Sequence, residues 1–227
     1  MKKIILSLTL AFVAMTSGFA QYYGGEPVGT VYEYEITNPL MGNMKSTYTL
    51  ESVDNNKLAF KMTTSVPGLA EPMVINNVLT IADGKAYQDP QSIIDSTKAS
   101  MQATLGGADM DIKLDGEVGF LPLVANVGDK FPLNKYTVKI NTMGMEIKSK
   151  ADVTKYEVIR EEEITTPAGT FQTFVVEMEM KTTTEAMGQT QAFDTKQLLW
   201  IVPNKGVVKT EQTMSGQTVI TTLVGIK

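Results

Sequence analysis

Any chemistry in this chain falls to carboxylates, thioethers and hydroxyls, because its 227 residues include no His and no Cys. Carboxylates come first, since glycoside hydrolysis needs only two of them, about 5–9.5 Å apart. Asp109 and Asp111 lie two residues apart, Asp115 and Glu117 form a second pair, and Glu161-Glu162-Glu163 is a run of three. A general acid needs a pKa raised by burial or close pairing. None of these carboxylates sits within an apolar run, so each reads as a solvated loop or outer face. Asp109, Asp111, Asp115 and Glu117 together hold enough oxygens for calcium. They lack the Gly and terminal Glu of an EF-hand loop.

The chain has 14 Met, with close pairs at Met41/Met44, Met143/Met145 and Met178/Met180. Thioethers can ligate Cu(I), but the His and Cys that usually complete such sites are missing. Met also packs cores and forms adaptable apolar surfaces. Core packing is the leading reading, an adaptable surface the second and metal the third. There is no G-x-S-x-G, and no Ser-Lys pair in a persuasive setting. No catalytic residue, metal ligand or cofactor is therefore expected.

The missing types exclude more. No disulfide framework, thiolate nucleophile or Cys-ligated metal can form, and no imidazole can serve a Ser-His-Asp triad. Arg occurs once, at Arg160, and the formal charge is −5. Phosphate recognition needs clustered Lys and Arg, so nucleic acid is not an expected partner. Docking on anionic membranes is disfavoured for the same reason.

The elements that must position these residues are mostly strands. Apolar and polar residues alternate with period 2, the mark of an antiparallel sheet with one dry and one wet face. Tyr136, Val138 and Ile140 share one parity. Phe174, Val176, Met178 and Met180 share another, opposite Glu177, Glu179 and Lys181. These seven apolar residues are the candidate apolar face. Strands are expected at 30–37, 44–54, 57–66, 73–82, 85–88, 110–114, 134–142, 145–163, 171–184, 191–202, 207–214 and 217–226. The run 145–163 changes parity after Val153, so a bulge is expected there. Asn55-Asn56, Asp83-Gly84, Asn204-Lys205-Gly206 and Ser215-Gly216 tolerate positive φ and mark turns.

One helix is expected at 90–105. Asp89 is its N-cap, Pro90 fits the first turn, and Ile93, Ile94, Thr97, Met101 and Leu105 recur every three or four residues. Gly106-Gly107 ends it. The helix reads as a crossover covering the sheet, or as a lid over a cavity. Val28-Gly29-Thr30…Met41-Gly42 and Val127-Gly128-Asp129…Met143-Gly144 form a weak internal repeat, suggesting β halves at 28–105 and 127–227. The Gly/Pro/Asp-rich stretch 106–133 is the expected junction. The fold class is mainly β, a curved antiparallel sheet or half-barrel in one domain over 21–227.

Residues 1–20 read as an export signal. Lys2 and Lys3 precede an apolar run, and Gly18-Phe19-Ala20 is a small-x-small site, so cleavage is expected between Ala20 and Gln21. The apolar run is too short for a comfortable membrane span. No Cys follows it to carry a lipid. A periplasmic or cell-surface location follows, with no transmembrane span in the mature chain.

Pro167-Ala168-Gly169-Thr170-Phe171, an alternating strand, Trp200-Ile201-Val202-Pro203, Gly206-Val207-Val208-Lys209 and a final Leu223 resemble a TapB-like family of exported bacterial domains of unknown function. The resemblance covers roughly the last 100 residues. It implies a β-rich domain, a curved half-barrel similar to periplasmic lipoprotein carriers, and no established activity. Pro167, Gly169, Phe171, Trp200, Pro203 and Gly206 then mark the fold and are not a reactive site. The expected function is a non-catalytic envelope protein that binds a partner or an apolar ligand on a curved sheet. The alternatives are an assembly module working through edge-strand contact and, ranked below both, a carboxylate hydrolase.

Overall fold

The computed structural model describes residues 25–40, 42–67, 72–105, 109–142 and 144–227. The expected signal and its cleavage at Ala20 and Gln21 lie outside the described residues. So do Met41, Met143 and Gly106-Gly107, as well as the side chains of Met101 and Leu105.

Among the described residues thirteen strands form one antiparallel sheet: β1 (Val31–Asn38), β2 (Gly42–Asp54), β3 (Lys57–Ser65), β4 (Met73–Ala82), β5 (Lys85–Gln88), β6 (Met110–Gly116), β7 (Phe120–Pro122), β8 (Lys135–Thr142), β9 (Met145–Thr166), β10 (Gly169–Ala186), β11 (Gln189–Val202), β12 (Gly206–Met214) and β13 (Gln217–Ile226). A single helix among the described residues, α1 (Pro90–Leu105), follows β5. Strand order across the sheet is β6-β8-β9-β10-β11-β12-β13-β1-β2-β3-β4-β5-β7. Twelve of these strands follow the alternation in the sequence. The thirteenth, β7, has three residues and is too short to show a period.

The order contains the main architectural fact. β6 and β7 are consecutive in the chain yet lie at opposite ends of the sheet. Only Glu117, Val118 and Gly119 join them, so the two ends cannot be more than about 14 Å apart at 3.3–3.6 Å per residue. The sheet must therefore curl until its ends nearly meet, leaving a seam. The chain crosses this seam three times, through α1, through 117–119 and through 123–134. Gly116 permits the second crossing. Its φ is 101°, and a Cβ there would collide with the Lys135 carbonyl oxygen.

Curling also lets the β9–β10 hairpin serve two cores. Its inner face carries Val158, Phe174 and Val176, which pack with Leu199, Ile201 and Leu121. Its outer face carries Val175, which with Trp200 joins Tyr32, Leu50 and Phe60 from β1–β3. Two register shifts in β9 accommodate the bend, one skipping Thr154 and one skipping Ile159. The first is the bulge that the parity change after Val153 predicts. The second was hidden, because Ile159 is apolar like its neighbours.

Asp89 caps α1 as its position suggests. Its Oδ2 accepts the Ser92 backbone N–H at 3.0 Å, and Ser92 Oγ accepts the Val78 N–H at 3.0 Å, pinning the helix to β4. Pro167 and Gly169 form the β9–β10 turn, with Gly169 at φ 142°. Pro203 and Gly206 flank the β11–β12 turn, where Asn204 N–H donates to Leu123 O at 2.7 Å.

Candidate functional site

The inner face at the seam encloses a small cavity of about 50 Å³. Several pieces of chain converge on it, including the 123–134 crossing. Ile93 comes from α1. Phe120 and Leu121 come from β7. Tyr136, Tyr156, Met178, Met180 and Leu199 come from the sheet. The alternation that puts Met178 and Met180 on one face of β10 thus aims both at the same void. Two amides, Gln197 and Asn134, also line it, and Gln197 is 2 % exposed. Apolar walls with a few converging polar groups are the usual make-up of a small-molecule pocket. The volume is small for one, with room for a few waters.

The aromatic groups that hold the seam together lie beside this void, and Phe120 and Tyr156 line it. Phe131 stacks obliquely on Tyr156 at 4.9 Å between ring centroids, and Phe120 meets Phe131 edge-on at 5.8 Å. Tyr87 reaches Phe120 at 5.7 Å. These rings come from β5, β7, β9 and the 123–134 crossing, so they staple both ends of the sheet. Tyr156 Oη donates to the Phe120 carbonyl at 2.5 Å. Tyr136 Oη donates to Met180 Sδ at 3.8 Å. Burial pushes the Tyr136 hydroxyl up to about 12 and raises that of Tyr156 as well. Both remain neutral hydrogen-bond donors at physiological pH.

The seven residues of the expected apolar face divide between neighbouring clusters on this inner surface. Val138, Ile140 and Met180 are buried with Ile93, and Tyr136 packs against them. Phe174 and Val176 are buried with Leu121 and Leu199, and Met178 packs against that group. The helix is therefore both a crossover and the cover of a void.

The opposite face of β10 departs from expectation. Glu177 is not wet but 6 % exposed. Antiparallel pairing places Lys155 of β9 and Lys196 of β11 opposite Glu179 and so beside Glu177, where they meet its two oxygens, with Lys155 Nζ at 2.5 Å. Lys155 also meets Glu157 at 3.0 Å. The Lys155 hydrogen bond, then that of Lys196, holds the Glu177 carboxyl below the usual carboxylate range, and Lys155 is raised in turn. Trp200, one of the residues expected to mark the fold, is buried but makes a polar contact at its edge. Its Nε1–H donates to Glu162 at 2.9 Å, Glu162 also binds Arg160 at 2.8 Å, and Lys209 lies over the indole at 4.4 Å. The Trp200 hydrogen bond lowers Glu162 first, with Arg160 adding to it. The sole Arg and sole Trp of the chain thus share one site, which no local spacing announces.

The remaining carboxylates do not converge. Asp109, Asp111, Asp115 and Glu117 are all exposed. Asp109 Oδ1 accepts the Met110 N–H, and Asp111 pairs with Lys113 at 3.6 Å. Glu161 and Glu163 are exposed, and Glu163 accepts from Gln172. Among the described residues no three Asp or Glu come together as a metal site. No described helix is long and apolar enough to cross a membrane.

Comparison with known proteins agrees with this architecture. A crystal structure from Bacteroides fragilis NCTC 9343, described as an exported protein with a YmcC-like fold, aligns with a TM-score of 0.61 and 17 % identity. It covers 92 % of this chain and 99 % of that one. A protein from Parabacteroides distasonis ATCC 8503, described as a lipoprotein, aligns with a TM-score of 0.63 and 19 % identity over 92 % and 99 % of the two chains. At such identities the likeness concerns the fold. No curated protein matches the sequence. The DUF3108-like family model matches residues 29–223, nearly the whole described sheet, and the chain belongs to that family.

Proposed function

We propose that this is an exported envelope protein without catalytic activity, which receives an apolar ligand at the seam beneath α1. The observation that carries this reading is the convergence of Ile93, Phe120, Met178, Met180 and Leu199 on a void with two amides in its wall. A ligand longer than a few atoms must displace side chains. Met178 and Met180 suit that role, because an unbranched thioether side chain repacks at low cost.

Export is supported by the N-terminal segment and by the two structural neighbours, described as an exported protein and a lipoprotein. The TapB-like resemblance of the last 100 residues supports the same assignment. With no Cys in the sequence, lipid attachment through Cys is not part of the proposal. The absence of catalysis is supported by the two carboxylates whose pKa values shift among the described residues, Glu162 and Glu177. Both move down, away from general-acid behaviour.

Titration of the purified protein with a fluorescent alkyl probe, with mass spectrometry of its organic extract, tests this reading. The expected result is saturable uptake, lost in Met178→Trp, which fills the void. A wild-type protein that neither takes up the probe nor releases an apolar compound overturns it.

A further inference from the structure

We infer that the ligand at the seam carries an uncharged head that both donates and accepts hydrogen bonds, a carboxamide or an alcohol, held between Gln197 and Tyr136. The inference rests on the reading above, that the void receives an apolar ligand, and adds the chemistry of its polar end.

Strand register puts Gln197 in place. It lies directly opposite Met178 across β10 and β11, and Tyr156 lies opposite Met178 from β9. Directly opposed side chains share a face, so the amide stands among the apolar groups of the inner surface. Gln197 is 2 % exposed and lines the void. No hydrogen bond joins its side-chain amide to another described residue. The buried amide of Gln88 shows the ordinary arrangement, with Nε2 donating to Asn77 Oδ1 at 3.1 Å. Protein interiors almost always pair such groups, so a buried amide facing a void is a binding group awaiting its partner.

Tyr136 supplies the second group. Its Oη donates to Met180 Sδ at 3.8 Å, and a thioether is a weak acceptor. An oxygen placed in the void competes well for that donor. Thr195 is the residue opposite Met180, so Gln197 and Met180 are diagonal neighbours with Cβ atoms roughly 7–8 Å apart. One small polar head lying between them reaches both. It accepts from Tyr136 Oη and Gln197 Nε2 and donates back to Gln197 Oε1. A carboxamide or a hydroxyl can do all three, whereas an ester can only accept.

Charge is excluded by what the wall lacks. No Asp, Glu, Lys or Arg lines the void. Lys85 lies over the Phe120 ring at 4.5 Å from its centroid but is not part of the lining. An ionised head would lose its hydration without gaining a counter-charge, which costs far more than burying a neutral amide that is hydrogen-bonded.

The test uses the purified protein with isotopically labelled Met methyl groups. It is titrated near neutral pH with pentane, hexanamide, hexan-1-ol, hexanoate and hexylamine, and the Met178 and Met180 methyl signals are followed by NMR. Hexanamide and hexan-1-ol are expected to saturate these signals at concentrations about tenfold below hexanoate and hexylamine. Gln197→Leu should reduce the preference for hexanamide over pentane by about tenfold, and Tyr136→Phe, which removes one oxygen, by about fivefold. If no probe moves either methyl signal, pentane included, the apolar-ligand reading falls and this inference falls with it. If the chains bind but the ionised heads do as well as the uncharged ones, only the inference about the head is overturned. A preference that survives both substitutions overturns it too.

Discussion

The two faces of β10 and β11 are built from the same alternation but hold different contents. On the inner face Phe174, Val176, Met178 and Met180 meet other apolar groups and leave a void. On the outer face Glu177 and Glu162 are tied to Lys155, Lys196, Arg160 and the Trp200 indole. Dispersion contacts are individually weak and non-directional, so the inner face can rearrange. Ion pairs and charge-assisted hydrogen bonds demand geometry, so the outer face holds the strands in register. The difference assigns the adaptable role to the inner side and the scaffold role to the outer.

The comparison can be broken most forcefully at Trp200. Trp200→Ala removes a 3 % exposed side chain from the core shared with β1–β3 and releases Glu162. It should cost about 3–5 kcal/mol, measured by urea unfolding. If the cost is under about 1 kcal/mol, the outer face is not the scaffold.

Glu177→Gln comes next, at about 2 kcal/mol, since Lys155 and Lys196 lose a buried partner but are exposed enough to rehydrate. Its pH dependence has a definite sign. The folded-state pKa of Glu177 lies below its unfolded value, so its contribution is full above about pH 5 and fades as pH falls through the folded value. The stability gap between wild type and Glu177→Gln should therefore close on acidification. A gap independent of pH would show that the pairing is not electrostatic.

Thr182→Val is the corresponding test on the inner face. Thr182 is 0 % exposed and its Oγ1 has no partner, whereas Glu177 opposite is doubly paired. Replacing the hydroxyl with a methyl should stabilise by about 1 kcal/mol, seen as a rise of roughly 2–4 °C in Tm. The smallest effect is expected at Met180→Leu, a near volume-conserving change that should shift stability by less than about 1.5 kcal/mol. A larger loss would mean that the inner face is as rigid as the outer.

Much of this was readable in one dimension. The helix at 90–105, its Asp89 cap and twelve strands follow from period and turn chemistry, because each depends on residues within a few positions. The bulge at Thr154 was readable too, since an inserted residue reverses parity. Of the site, the sequence shows that Met178 and Met180 share an apolar face with Phe174 and Val176, and that Tyr136, Val138 and Ile140 share another. It does not show that Ile93 and Phe120 cover them. The burial of Glu177 was missed because its partners, Lys155 and Lys196, are distant in the chain and lie on two different strands.

The amino-acid sequence alone determined the strand rhythm, the faces and the exclusion of Cys and His chemistry, since side-chain direction and residue inventory are local properties. Only the tertiary structure decided how the ends of the sheet approach and which face became doubly buried. Those depend on curling and on register between distant strands. A three-residue link from β6 to β7 imposes the curl.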